Sequence, residues 1–417
     1  MHEQLTVPLS PAQRLLAWVD EVAPGMVFGP RFVCLGGYRL AGPLDVPALR
    51  DALDRLVVRH EALRTVLVPD APGPRVAPPA PVPLVEVAPD RLIDTIVAGS
   101  YPPGSVPLLW AFLARHDATD ATLVLVAQHA AADPWSMRIL IADLLRSYAD
   151  RLGERDDDPV QAPPDRVPVP RGLTDEQRIR LADHWRQALT DVPGLPLGAD
   201  EPGGPPRTSE IRFPVAVADQ RLRAAARALR TSPFVLLLSG FVGALGAVTG
   251  ATDLTVPVLT YGRSRSDWDT VGLFMNALPV RVDASGDPAP GETLRRVHRA
   301  FATAFTREMP LADLVSSLPE AARYFAPGGP VSAQFEVIQV PPIPAVGPLA
   351  YRPVRLPAGL PLGGPVIPVN GLVAWLEQDA DGGYTGTMRY RADLFSRHTI
   401  EHLVSCYADR LDRLVRS

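Results

Sequence analysis

The sequence contains no lysine; all 41 of its Lys-plus-Arg positions are arginine. Together with 47 prolines, this reads as coding composition and carries no chemistry. Cysteine is nearly missing too. Cys34 and Cys406 cannot build a disulfide framework, and both read as small apolar residues of a reducing compartment. An excess of positive charge is also lacking. A formal net charge of −5 provides no broad basic field, which argues against a nucleic-acid partner. The first ten residues have no basic stretch followed by an apolar one, so no signal peptide is expected. The most apolar run, 234–248, is interrupted by Ser239, Gly240, Gly243 and Gly246. It falls short of the ~18–20 residues a membrane span requires. It reads as a buried core helix, and a cytoplasmic protein without membrane contact is expected.

What is present is a chain of 417 residues, long for one core, so two lobes are expected. Ser10 followed by Pro11 opens a capped helix, and apolar residues at helical spacing predict a second over 46–64. Strand character follows over 64–68, and 69–89 is proline-dense, reading as extended structure. A strand over 122–128 and a helix over 136–152 complete a first lobe, 1–165. A charged, proline-rich linker is expected over 155–171. In a second lobe, 166–417, helices are expected over 174–189, 219–229, 232–248, 291–305 and 393–415. Strands are expected over 211–217, 254–259, 280–283 and 335–340, with a hairpin of 369–378 and 384–390 around Asp381-Gly382-Gly383. Both halves therefore mix α and β.

The chemistry-bearing stretch is Gln128-His129-Ala130-Ala131-Ala132-Asp133-Pro134-Trp135-Ser136. It lies between a strand-like and a helix-like run, where a scaffold can aim an imidazole into a cleft. Taken locally, His129 has two readings: a hydrogen-bonded core histidine, or a base that takes a proton near neutral pH. A metal site is not expected, because His129 and Asp133 have no third and fourth ligand nearby in sequence.

This stretch resembles the His-His-x-x-x-Asp-Gly core of non-ribosomal peptide synthetase condensation domains and their chloramphenicol-acetyltransferase-like relatives. The likeness extends along the chain. Ser10-Pro11-Ala12-Gln13-Arg14-Leu15 is similar to the family's opening motif, and Arg59-His60-Glu61-Ala62-Leu63-Arg64-Thr65 to its second. Ser232-Pro233-Phe234 through Gly250, and 256–263, resemble the buried helix and strand before the family's floor loop. Val271-Gly272-Leu273-Phe274-Met275-Asn276 through Arg281, Gly386-Thr387-Met388-Arg389-Tyr390 and Asp393-Leu394-Phe395 complete the set. Ordered blocks of this kind are far more specific than any one alone.

The resemblance implies a mixed α/β fold of two acetyltransferase-like lobes in a V, a pseudo-dimer with a central tunnel. It implies an acyltransferase that forms an amide or ester from a carrier-protein-bound thioester and an amine or alcohol. The phosphopantetheine arms of partner carrier proteins would enter the tunnel, with no cofactor bound to the chain itself. A free-standing member is expected, with His129 as the catalytic residue. Asp133 would pair with a buried arginine, Arg281 being the candidate. Asn276, Ser332 and Gln334 are tunnel candidates, and Asn276 has a second reading as the residue that closes the floor loop. Arg64 reads as structural.

Departures from the pattern keep other readings open. Gln128 replaces the first histidine of the core, as a loop support. Pro134 replaces its glycine, which removes a main-chain donor and fixes φ. Trp135 and Ser136 restore the match, and Ser136 reads locally as a helix N-cap. Thr306 stands where many members have histidine, and Val340 where asparagine is expected. A catalytically silent module that recruits carrier proteins or tailoring enzymes, or an epimerising or cyclising variant, are the alternatives.

Overall fold

The computed structural model describes residues 9–67, 73–153, 173–196, 207–286, 288–326, 328–339, 349–357, 359–363, 370–379 and 382–416. The linker expected over 155–171, Val340 and Asp381 lie outside them. The chain forms two compact units. One comprises 1–171, 261–275 and 340–366; the other comprises 172–260, 276–339 and 367–417. The single boundary expected at 165/166 does not describe them, because two later segments fold with the first unit. Both do so through tertiary pairings that local sequence does not display: strand Ala350–Val354 pairs with strand Val33–Ala41, and Arg263 is bound to Asp133.

The first unit is built on a five-stranded sheet in the order Ala350–Val354, Val33–Ala41, Asp120–Gln128, Leu109–Arg115, Leu84–Val87. The first four strands run antiparallel to their neighbours, and Leu84–Val87 is parallel to Leu109–Arg115. Strand Asp120–Gln128 is buried from Ala121 onward, which explains its unbroken apolar run. Helices Val46–Arg59 and Pro134–Leu152 pack on one face through Leu53, Leu56, Leu140 and Leu144. Tyr101, Phe112, Val124 and Leu362 form a smaller core on the other. Three of these strands were not expected. Gly36 and Gly37 interrupt Val33–Ala41, Leu109–Arg115 lacks alternation, and Ala350–Val354 contains Pro353, which fits only its position at the sheet edge.

The second unit is a six-stranded sheet in the order Thr208–Val215, Tyr384–Arg391, Gly371–Gln378, Ser332–Ile338, Asp253–Thr260, Asn276–Asp283. The expected hairpin is present, with Gln378 opposite Tyr384. Helices Pro233–Thr249, Pro290–Thr306 and Arg397–Arg416 pack together beside it. Phe241 stacks on Phe335 of the sheet at 5.0 Å and 28°. Among the described residues, no single helix is long and apolar enough to cross a membrane, and the apolar Pro233–Thr249 helix is core.

The helix expected over 46–64 stops at Arg59. His60 turns inward with extended backbone, and a short 3₁₀ turn, Glu61–Arg64, follows. The reason is electrostatic. His60 is fully buried, with Nε2 3.0 Å from the Asp143 carboxylate on the neighbouring helix. Arg59 and Arg146 reach the same carboxylate; burial works to raise its pKa, but the His60 hydrogen bond and the neighbouring guanidinium groups outweigh it and hold Asp143 below the usual Asp range. The conversion of Asp143→Ala should therefore remove the carboxylate that His60, Arg59 and Arg146 share and cost roughly 3–5 kcal/mol. Urea denaturation measures this; an unchanged midpoint would mean the contact carries no stability.

Candidate active site

Strand Asp120–Gln128 ends where its last side chain turns inward. Gln128 is fully buried; its amide donates to the carbonyls of Tyr101 (3.2 Å) and Gly29 (3.4 Å), and its Oε1 accepts from Ala130 N–H (3.3 Å). The carboxamide thus supports the loop and adds no titratable group. Sheet register sets Val33 opposite Gln128, so Phe32 comes beside His129. The two rings stack at 4.9 Å and 21°, and His129 N–H donates to Phe32 O at 2.9 Å.

His129 is 7% exposed. Its Nδ1 lies 2.8 Å from Ala132 O. A carbonyl only accepts, so Nδ1 carries the proton and Nε2 presents a lone pair. Nε2 has no partner among the described residues. Burial pushes the imidazole pKa below its ordinary value, and the nearby main chain and Asp133 offset this only in part. The ring is therefore neutral at physiological pH, with one nitrogen free to accept a proton.

Helix Pro134–Leu152 begins two residues earlier than expected. Asp133, not Ser136, is its N-cap; its Oδ1 accepts from Ser136 N–H at 2.7 Å. Pro134 occupies the first helical position, where a missing N–H costs the helix nothing and the fixed φ suits the turn. Ser136 is buried in the first turn instead. Its hydroxyl donates to Gly272 O (2.7 Å) and accepts from Gly272 N–H (3.0 Å). The main-chain N–H of Trp135 has no partner among the described residues, while its indole donates to Trp268 O at 2.8 Å.

The buried arginine that Asp133 binds is Arg263, not the expected Arg281. Arg263 Nη2 lies 2.8 and 3.0 Å from the two carboxylate oxygens, and the side chains are 1% and 0% exposed. The same guanidinium donates to Ser136 Oγ and to the carbonyls of Asp267, Thr270 and Gly272, and stacks on Phe274 at 4.1 Å. Phe274 N–H donates to Asp133 Oδ2 at 3.2 Å. The sequence signal was Tyr261-Gly262-Arg263 at the end of a recognised block. Gly262 has φ +58°, the turn by which the chain leaves its strand and brings Arg263 round.

The other expected residues lie in the second unit. Arg281 holds Asp253 through both carboxylate oxygens and binds the carbonyls of Ala188 and Thr190, fastening two strands to the end of helix Asp175–Ala188. Asn276 donates to Glu308 (2.9 Å) and Met309 O (3.1 Å) and accepts from Leu311 N–H (2.8 Å). Its amide is spent on closing the 308–311 turn. Ser332 and Gln334 share one strand and are both buried. Two cavities of about 460 and 400 Å³ also lie in this unit, and none of the 128–136 loop residues lines them.

A family model described as Condensation domain matches residues 3–325. The chain belongs to the condensation-domain family. It is 30% identical to a dimodular nonribosomal peptide synthase of Bacillus subtilis, over 99% of this chain and 18% of that protein. It is 29% identical to a probable non-canonical nonribosomal peptide synthetase, CymA, of Salinispora arenicola, over 99% of this chain and 6% of that one. The chain thus spans less than a fifth of either synthetase. The crystal structure of the SgcC5 protein of Streptomyces globisporus matches with a TM-score of 0.81 at 29% identity, covering 98% of this chain and 99% of that one. The mixed α/β architecture is accordingly that of condensation domains.

Two outcomes follow from this geometry. Asp133→Ala should cost about 3–5 kcal/mol by leaving Arg263 buried and uncompensated. Arg281→Met should cost about 1 kcal/mol or less, since its pair with Asp253 is about one-third exposed. Thermal and urea denaturation compare them, and equal losses would contradict the assignment. The second outcome concerns pH. The depressed folded pKa of His129 means that, below about pH 6.5, the unfolded chain binds a proton the folded chain refuses. Stability should rise with pH up to about 6.5 on this account and level off above it. His129→Gln should flatten that segment, and an unchanged slope would place the titration elsewhere.

Proposed function

We propose that the chain is a condensation-type acyltransferase that joins a carrier-protein-bound acyl thioester to a hydroxyl or amine acceptor. The observation that carries this reading is the tautomer of His129: Nδ1–H is committed to Ala132 O, which leaves Nε2 as an unpartnered base on a neutral ring. Nε2 takes the proton of the attacking group as it bonds to the thioester carbon. The C–S bond then breaks, and the imidazolium returns the proton to the departing thiol of the phosphopantetheine arm. Charge builds on the carbonyl oxygen between these steps. Gln128, Ser136 and Pro134 have no free donor to offer it, so the Trp135 main-chain N–H, in the first turn of a 19-residue helix, is the donor we assign. A hydroxyl acceptor is favoured over an amine. SgcC5, matched over 99% of its chain, was solved as a complex with (R)-1-(2-naphthyl)-1,2-ethanediol and sucrose, and the first of these is a vicinal diol.

Pro134 supports a second reading, a silent module that binds carriers without turnover, because the core's usual donor is missing at that position. Intact-mass assays with acyl-loaded carrier proteins and candidate diols and amines distinguish the two. On the first reading His129→Ala should lower product formation by about 10²–10⁴-fold with carrier binding kept. Pro134→Gly should leave turnover similar or modestly raised. A wild-type chain that binds loaded carrier yet forms no product would establish the silent reading, and creation of activity by Pro134→Gly would name the cause.

A further inference from the structure

Helix Pro290–Thr306 carries Glu292, Arg296, Arg299, Ala300 and Thr303 on one face, recurring at three- and four-residue spacing. All five line the cavity of about 460 Å³ in the second unit. Pro279, Arg281 and Val282 of edge strand Asn276–Asp283 form a second wall, and His184, Trp185 and Ala188 of helix Asp175–Ala188 a third. The Trp185 indole is fixed there, donating to Arg307 O at 3.0 Å. Three guanidinium groups line this cavity, and two are spent. Arg281 is bound to Asp253 and to the carbonyls of Ala188 and Thr190. Arg296 binds Glu292 and the carbonyls of Asp283 and Ser285. Arg299 is exposed and makes no hydrogen bond or ion pair with any described residue. The His184 ring nitrogens and the Thr303 hydroxyl also have no hydrogen-bond partner among the described residues. Burial and the charge of Arg307 push His184 below the ordinary histidine range, so at neutral pH its ring is uncharged and carries one N–H donor.

A free guanidinium presents a planar fork of donors that matches a carboxylate. This one shares its cavity with carbon: Trp185, Leu189, Pro279, Val282, Ala300 and Ala304 supply apolar wall. A cavity of this volume, mostly apolar with a few unspent polar groups, suits a small molecule whose body is buried and whose polar end is fixed by those groups. Glu292 and Asp283 line it as well, both paired with Arg296. Their charge disfavours a dianion such as phosphate, and the three arginines disfavour a cation. We propose that the cavity binds a small monocarboxylate, with the carboxylate on Arg299, further donors from Thr303 and His184, and an aryl or alkyl body against Trp185 and Pro279. The site is independent of the acyl-transfer reading, since none of residues 128–136 lines it.

The experiment is calorimetric, on the full chain, with 3-phenylpropionate as the probe. 3-Phenylpropanol keeps the body without the charge, and inorganic phosphate keeps charge without the body. The carboxylate should bind saturably, about tenfold or more tighter than either. Arg299→Gln should weaken it by about tenfold or more. Arg180→Gln, at an exposed arginine of helix Asp175–Ala188 outside the cavity, should leave it unchanged. Ala300→Phe fills the cavity and keeps every charge, so it should abolish binding, and the test does not hang on one variant. The Trp185 indole N–H resonance, identified by its loss in Trp185→Phe, should shift as the probe is added. Phosphate binding as tightly as the carboxylate would reveal an adventitious ion only and overturn the proposal. So would unchanged affinity in a folded Arg299→Gln or Ala300→Phe, a Trp185 signal that stays in place, or a wild type that takes up no carboxylate.

Discussion

The buried pair of Asp133 and Arg263 is the constraint on which the candidate site depends. Two charges removed from water are costly, and their attraction compensates only when the remaining donors and acceptors are satisfied. Here Asp133 accepts from Ser136, Phe274 and Arg263, while Arg263 also binds three main-chain carbonyls of the 261–275 segment. The pair therefore sets the start of helix Pro134–Leu152 and the path of a segment distant in sequence. Ala132, whose carbonyl orients His129, directly precedes Asp133. The pair thus anchors the residue that follows the carbonyl holding the His129 Nδ1.

Within this frame the polar groups divide into those that are committed and those that are free. Gln128, Asp133, Ser136 and Arg263 are each spent on holding the loop. His129 Nε2 and the Trp135 main-chain N–H are not. One is a base and the other a donor at the positive end of a helix dipole, the pair of functions that acyl transfer needs. Pro134 sits between them with no proton to give. It begins the helix well, and the same ring that suits the first turn removes a donor from the loop.

The second unit shows the same division. Arg281 and Asn276 look chemical in sequence, but their side chains are engaged in fastening strands and turns. Gln334, a tunnel candidate by resemblance, is by contrast a buried amide whose nitrogen and oxygen have no hydrogen-bond partner among the described residues. Residue type alone does not identify a structural clamp; the partners the fold brings to it do.

Much was legible from the chain by itself. Periodicity and caps located the Pro11–Val22, Asp175–Ala188, Pro233–Thr249 and Pro290–Thr306 helices to within a few residues, because amphipathic spacing and N-cap chemistry are local. Ordered motif blocks indicated the family and singled out His129. Asp133-Pro134 also carried a readable start signal, an N-cap before a first-turn proline, which the match at Ser136 obscured. Other features were decided only by tertiary structure. Strand Ala350–Val354 exists because an edge of the first sheet was open to it, and the choice of Arg263 over Arg281 depended on a turn at Gly262. The protonated nitrogen of His129 follows from a carbonyl three residues away. These are matters of which groups meet in space, and a buried charge or amide takes its role from the partners the fold brings to it.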